Sequence, residues 1–304
     1  MKRFLLAVSR PLAASKLLAA LALSATLVVA GCRGPKEQGR GSAQLRVVSL
    51  HDVTTELIVA LGAVSRLVGM ADLVDASDEL RAATAGVPRV AGPSPSEGAG
   101  ELEMLLTAQP DLVLGLQIVK LKSPDIVASL ERHGKSVYLP ALSSVSDVET
   151  LIREVARRLK KESEGERLLA DLAAHVGAPA PAREPRRVFV YDCCDPPFTA
   201  GRRTVLSDLI GRVGGRNVFG DVDAAYTHVS WEEVLLRKPE LIVVHAYGEG
   251  GSADVSGKIA ALRGIEALRA LPVTVMPLRY SLGGLKTGEA ATVLRSALTG
   301  TGPT

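Results

Sequence analysis

The side chains best suited to bond a ligand atom fall in two short runs, each directly after an apolar stretch. His51-Asp52 follows LRVVSL, and Asp192-Cys193-Cys194-Asp195 follows RVFVY; His228 and His245 come later. Thiolate and imidazole together are the donors that a soft or borderline transition metal takes. His51, Cys193, Cys194 and His228 are therefore candidate metal ligands. No Cys-x-x-Cys or His-x-x-x-His spacing accompanies them. Each also has a structural reading: His51 as a helix-entry residue bonded to backbone, the cysteines as a small, partly buried pair. Adjacent cysteines rarely bridge each other, because the ring strains the peptide between them. His133 and His175 lie in helical segments and read as surface residues. Neither Gly-x-Ser-x-Gly nor His-Glu-x-x-His occurs, and nothing supplies Cys193 with an oriented base. The chain thus reads as non-enzymatic, without catalytic residues or a catalytic cofactor.

A further candidate modification site lies near the start. Lys2, Arg3, Arg10 and Lys16 precede the apolar run LLAALALSATLVVA, which ends in Gly31-Cys32. The run is short for a membrane span and closes on small residues, so it reads as an export signal over residues 1–31. Val29-Ala30-Gly31-Cys32 has the form cleaved by a lipoprotein signal peptidase, with Cys32 as the acylated residue. A soluble domain held to a membrane by lipid, outside the cytoplasm, follows. The whole sequence has 36 basic and 33 acidic residues; four basic and no acidic ones lie in residues 1–31, which leaves 32 against 33. No basic field remains for nucleic acid.

The elements that must hold these groups alternate. Residues 32–44 are polar and Gly-containing, a tether. Strand LRVVSL leads to a helix from Thr54, closed near Gly62; VDASDELRAATAGVPRVAGPSPSEG is loop-rich; then come helix 101–108, strand 110–116, helix 124–134 and strand 136–140. Residues 146–177 read as almost unbroken helix, and strand 187–192 restarts the alternation. The order repeats in detail. Leu102-Glu103-Met104-Leu105-Leu106 precedes Pro110-Asp111-Leu112-Val113-Leu114 as Trp231-Glu232-Glu233-Val234-Leu235 precedes Pro239-Glu240-Leu241-Ile242-Val243. Glu56-Leu57-Ile58 with Leu61-Gly62 likewise matches Asp208-Leu209-Ile210 with Val213-Gly214. The fold class is α/β: two similar Rossmann-like lobes (45–145 and 187–304), a long connecting helix (146–178), and a ligand cleft between the lobes at the strand ends. Tyr138 is the single aromatic residue between Cys32 and Phe189. Of the rest, Phe189 and Phe219 are expected in the core, and Tyr191, Phe198 and Trp231 at or near the ligand.

These blocks resemble class III, helical-backbone substrate-binding proteins of ABC importers, which carry cobalamin, ferric siderophores, heme or metal ions. RVVSLHDVTTELIVALGAVSRLVGMADLVD looks like the family's opening, LEMLLTAQPDLVLG like its first helix–strand block, and YDCCDPPFTAGRRTVLSDLIGRVGGRNVFGDVDAAYTHVSWEEVLLRKPELIVV like its second lobe. The resemblance spans roughly residues 45–298. It implies two rigid lobes, a ligand between them, and an ABC permease with its ATPase as partner. It also implies one surface glutamate per lobe that docks on permease arginines, here Glu103 and Glu232. Two departures, His51-Asp52-Val53-Thr54 for Ser-Pro-Ser-Ala and Asp192-Cys193-Cys194 for Asp-Ser-Gly, fall on cleft loops. The expected ligand is a metal chelate of iron or cobalt, with His51, Asp52, Tyr191, Asp192, Phe198, Arg202, Trp231, His245, Tyr247 and Tyr280 around it. Aromatic faces would rest on the chelate, and Arg202, Arg203 and Arg279 would meet its acidic groups. The alternative is a bare transition-metal ion held by His, Cys and Asp, for import or by a stand-alone scavenging lipoprotein. A monomer is expected.

Overall fold

In the computed structural model, residues 44–92, 99–179, 184–248 and 252–300 are described. The expected signal, Cys32 and nearly all of the tether lie outside them. Short aliphatic runs, buried on both faces, form parallel strands because helices cover both sides of the sheet. The first lobe contains β1 (Val47–Ser49), α1 (Asp52–Ala60), β2 (Leu67–Ala71), α2 (Asp78–Ala83), β3 (Arg89–Ala91), α3 (Ala99–Thr107), β4 (Leu112–Leu114), α4 (Gln117–Lys122), α5 (Pro124–Arg132) and β5 (Ser136–Tyr138). Its sheet order is β3-β2-β1-β4-β5. After α6 (Val145–Arg158) and α7 (Glu162–Val176) comes the second lobe. It contains β6 (Arg186–Tyr191), β7 (Phe198–Ala200), α8 (Val205–Arg212), β8 (Gly215–Asn217), β9 (Tyr226–His228), α9 (Trp231–Leu236), β10 (Leu241–Ala246), α10 (Ser252–Gly264), β11 (Val273–Pro277), α11 (Leu278–Ser281) and α12 (Thr287–Thr299). Here the parallel sheet runs β11-β10-β6-β8, and β7 pairs with β9 in a separate antiparallel ribbon.

Three local readings need correction. The connecting segment is two helices, not one. The chain turns at Lys160, in the left-handed region at φ 49°, where the Lys161 amide closes onto the Ala156 carbonyl at 2.8 Å. Gly165 of α7 then lies so close to α6 that a Cβ there would sit 2.6 Å from that of Ala156. The helix after β1 is capped by His51, not Thr54, and Thr54 is buried. The segment read as loop-rich holds α2 and β3, whose small, polar residues gave little periodic signal.

The repeat is visible at the level of single hydrogen bonds. Helices α1 and α8 each end at a glycine with positive φ, Gly62 at 65° and Gly214 at 93°, a conformation that costs glycine little. Helices α3 and α9 are followed by left-handed Gln109 and Lys238. The next acid then receives the amide of an arginine at the start of the central strand: Arg46 N donates to Asp111 at 2.9 Å, and Arg187 N to Glu240 at 2.9 Å. Each arginine's Nε returns to the left-handed residue's carbonyl, at 3.0 Å on Gln109 and 2.5 Å on Lys238.

One apolar cluster joins both lobes. It takes Val47 and Leu57 from the first, Leu151 and Leu169 from α6 and α7, and Val188 and Leu209 from the second. A second cluster lies within the first lobe, and an aromatic one around Phe189 and Phe219 within the second. Polar ties reinforce the joint. The Val145 amide donates to Asp208 at 2.9 Å, and the Arg279 amide to the buried Asp75 at 2.9 Å.

Candidate ligand cleft

In open parallel sheets, ligands settle outside the carboxyl ends of the strands where the strand order reverses. That point is β1/β4 in the first lobe and β6/β10 in the second. The Asp75–Arg279 contact links the turn after β2 to α11, immediately after β11, so the carboxyl edges of the two sheets approach each other. Large apolar side chains stand in solvent along these edges: Val74 after β2 (56% exposed), Ile118 and Leu121 on α4 after β4 (42% and 69%), and Tyr247 after β10 (37%). Val74, Ile118 and Leu121 carried no assignment in the sequence. The signal was there in Gln117–Lys122, a short helix with three aliphatic residues of which only Val119 is buried.

In the first lobe, the nominated polar residues are structural. His51 Nδ1 accepts the Val53 amide at 3.2 Å and caps α1. Burial pushes the imidazole below its usual pKa, against the pull of Asp52. Asp52 Oδ2 accepts the amides of Val74 and Asp75 at 2.9 and 3.0 Å, which fixes the turn that presents Val74.

The second lobe holds a buried network. The Asp192 carboxylate lies 2.6 Å from His245 Nδ1 and accepts the Tyr247 hydroxyl at 2.7 Å. On the other side of the ring, Nε2 lies 2.8 Å from the Ser281 hydroxyl. Lys258, itself buried, donates to the His245 carbonyl at 2.8 Å and stands 4.5 Å from the centre of the Tyr247 ring. Burial raises the Asp192 pKa, but the hydrogen bond and charge of His245, the Tyr247 hydroxyl and the charge of Lys258 outweigh it, so the carboxyl is held below its ordinary value. Asp192 and His245, both expected around the ligand, are buried against each other, and burying either charge or imidazole alone would cost too much. They orient Tyr247, which does reach solvent. Ser281 and Lys258 gave no sequence signal, because each pairs with His245 from a different element, 36 and 13 positions away.

Cys193 and Cys194 form a disulfide, so neither supplies the thiolate expected of a metal ligand. His51 is turned to its own helix, and His228 Nδ1 lies 3.1 Å from the Pro196 carbonyl. Among the described residues, no three His, Cys, Asp or Glu side chains converge as a metal would require. The expected metal set of His51, Cys193, Cys194 and His228 is therefore not assembled.

The aromatic residues divide. Tyr191 is buried, and its hydroxyl donates to the Cys194 carbonyl at 3.1 Å; it braces the loop instead of facing a ligand. Trp231 packs edge-on against Tyr191 at 5.4 Å and donates from Nε1 to Asp195 at 3.1 Å. Phe198 stacks on Tyr226 at 5.5 Å and lies 4.8 Å from the His228 ring. Burial raises the pKa of Tyr226, whose buried hydroxyl has no hydrogen-bond partner among the described residues. Tyr280 is half-buried against the shared core. Arg202 pairs with Asp223 at 2.8 Å. It lies in the turn after β7.

Glu103 and Glu232 are exposed on α3 and α9, whose inward faces bury Leu105 and Val234 completely. Each has an exposed apolar neighbour, Met104 at 44% and Leu236 at 79%. Hydrogen bonds from its own amide and the Ser230 hydroxyl lower the Glu232 pKa, so the group is an anion.

Residues 47–274 match the family model described as periplasmic binding protein. A vitamin B12-binding protein of Pectobacterium carotovorum subsp. carotovorum is 28% identical over 269 residues, 85% of this chain and 90% of the relative. Among solved structures, the periplasmic heme-binding protein RhuT from Roseiflexus sp. RS-1 superposes with a TM-score of 0.68 at 26% identity, covering 85% of this chain and 99% of that one. The vitamin B12-binding protein BtuF of Vibrio cholerae shares the fold, with a TM-score of 0.63 at 19% identity over 84% and 97% of the two chains.

Proposed function

The chain belongs to the periplasmic binding protein family, as a non-enzymatic, extracytoplasmic substrate-binding component for an ABC importer, and from that premise we propose that its cargo is an iron or cobalt chelate. The observation that carries the reading is the set of solvent-exposed apolar side chains, Val74, Ile118, Leu121 and Tyr247, at the carboxyl edges of both sheets. A bare ion needs converging donors. A chelate brings its own donors and needs flat apolar surfaces. The names of the relatives, vitamin B12-binding and heme-binding, support the same class of cargo.

In this reading the pre-shaped loops rest on the two faces of the chelate, and the shared core keeps the lobes from moving far. Glu103 and Glu232, with Met104 and Leu236 beside them, present the paired surface to the permease. Cys32 carries the lipid that holds the chain at the membrane, and the protein acts as a monomer. The test is titration of the purified chain with cyanocobalamin, hemin and a ferric hydroxamate. One of them should bind saturably, and Tyr247→Ala should weaken it while Arg202→Ala leaves it unchanged. If none binds, or a free metal ion binds more tightly than all three, the chelate reading fails. Separately, Cys32→Ser should stop lipidation and release the protein from membranes; a processed, membrane-bound variant would count against the anchor.

A further inference from the structure

The Cys193–Cys194 bridge sits at the end of β6, the strand beside which the sheet order reverses, and Cys194 reaches solvent. Its surroundings are unusually well fastened. The Phe198 amide donates to the Cys193 carbonyl at 2.8 Å, the Tyr191 hydroxyl to the Cys194 carbonyl, and the Trp231 indole to Asp195. One residue before the bridge, Asp192 is gripped by His245 and Tyr247. Within this frame Cys194 adopts φ 77°, a left-handed backbone that residues with a Cβ seldom take unaided. The relevant neighbour is Tyr247, which shares Asp192 with this loop and is the exposed aromatic group of the second-lobe edge.

We propose that the vicinal disulfide is a redox-sensitive part of the cleft wall: closed, it holds Cys194 in the left-handed turn and pre-shapes the surface next to Tyr247 for the ligand. Reduction by a dithiol transfers two electrons and two protons to the bridge. The S–S bond breaks, two thiols form, and the dithiol becomes a disulfide. Cys194 is then free to leave the left-handed region, its carbonyl moves off the Tyr191 hydroxyl, and binding must bear the cost of re-ordering the loop. An extracytoplasmic compartment is where such a bond persists and where its loss would be a signal.

This proposal rests on the reading of the strand edges as the ligand site. Its test uses the full chain, with cyanocobalamin and hemin as probes. Intact mass, two hydrogens lighter than the dithiol form, and resistance to alkylation report the bridge. The fluorescence of Trp231, the chain's one tryptophan, reports the loop. The double variant Cys193→Ser/Cys194→Ser should bind whichever probe the wild type prefers roughly tenfold more weakly. Cys193→Ser/Cys194→Gly should recover most of that loss, since glycine takes the left-handed turn freely. Binding by the serine pair within about twofold of the oxidised wild type, well under a kcal/mol, overturns the proposal but leaves the functional reading intact. A glycine variant as weak as the serine pair overturns it too. The same comparison is made with a ferric hydroxamate where the wild type binds neither probe, and only if all three fail to bind do both readings fall together.

Discussion

At the scale of residues, this protein separates chemical suitability from availability. The groups that look most reactive in the sequence are spent on one another. His245 is fully buried against Asp192 and Ser281, and His51 closes a helix. The exposed groups at the sheet edges are the ones with the least chemistry, aliphatic side chains and one tyrosine. Asp192 is the keystone of the polar set. Asp192→Ala would remove the acceptor that His245 Nδ1 and the Tyr247 hydroxyl share. Breaking a buried charge network of this kind costs about 3–5 kcal/mol, which calorimetry should register as a melting midpoint lower by on the order of 10 °C. The pH dependence has a definite sign. Because the folded state holds the Asp192 pKa below its ordinary value, its contribution is complete above the ordinary carboxylate range and is lost as pH falls through the lowered value. Denaturant titrations should show wild type and Asp192→Asn converging in stability below that range and diverging above it. A constant gap across pH would refute the assignment.

Among the elements, the break between α6 and α7 has the clearest physical cause. An uninterrupted helix over 146–177 would carry Leu169, Leu172 and Val176 away from Leu151, Ile152 and Val155. With the turn at Lys160, all six enter one core. The turn is possible because Gly165 offers no side chain to Ala156. Gly165→Ala should therefore destabilise by about 1–3 kcal/mol despite alanine's better helix propensity, since the new methyl would overlap its neighbour. Adding Ala156→Gly should restore most of the loss. Thermal melts of the two singles and the double test this; simple additivity would mean the two positions do not touch. The periodicity of the segment could not reveal the break, because each half keeps its own apolar stripe, Leu159 continues that stripe into the core, and Lys160-Lys161 resembles a solvated helix face.

At the scale of the molecule, the two lobes form one folded unit with a shared core, and the ties at Asp75 and Asp208 cross between them. The repeat places α3 and α9 equivalently in the two lobes, so their exposed glutamates should engage a two-fold partner together. Glu103→Arg with Glu232→Arg should abolish uptake in cells while the purified variant binds its ligand within roughly threefold of wild type, because an exposed charge acts only weakly on a distant site. Loss of ligand binding instead would put these residues in the cleft. The sequence by itself determined the alternation of elements, the internal repeat and the family. Those depend on local periodicity and on short motifs such as the left-handed residue followed by proline and an acid, which act within a dozen positions. Tertiary structure alone decided which reactive groups are free. Asp192 meets His245 across two neighbouring strands, His245 meets Ser281 beyond the next strand, and Cys193 closes on Cys194 inside a braced turn. The Asp192–His245 and His245–Ser281 pairings, 53 and 36 positions apart, are set by sheet order and packing, while the closure of two adjacent cysteines depends on the turn that surrounding contacts impose.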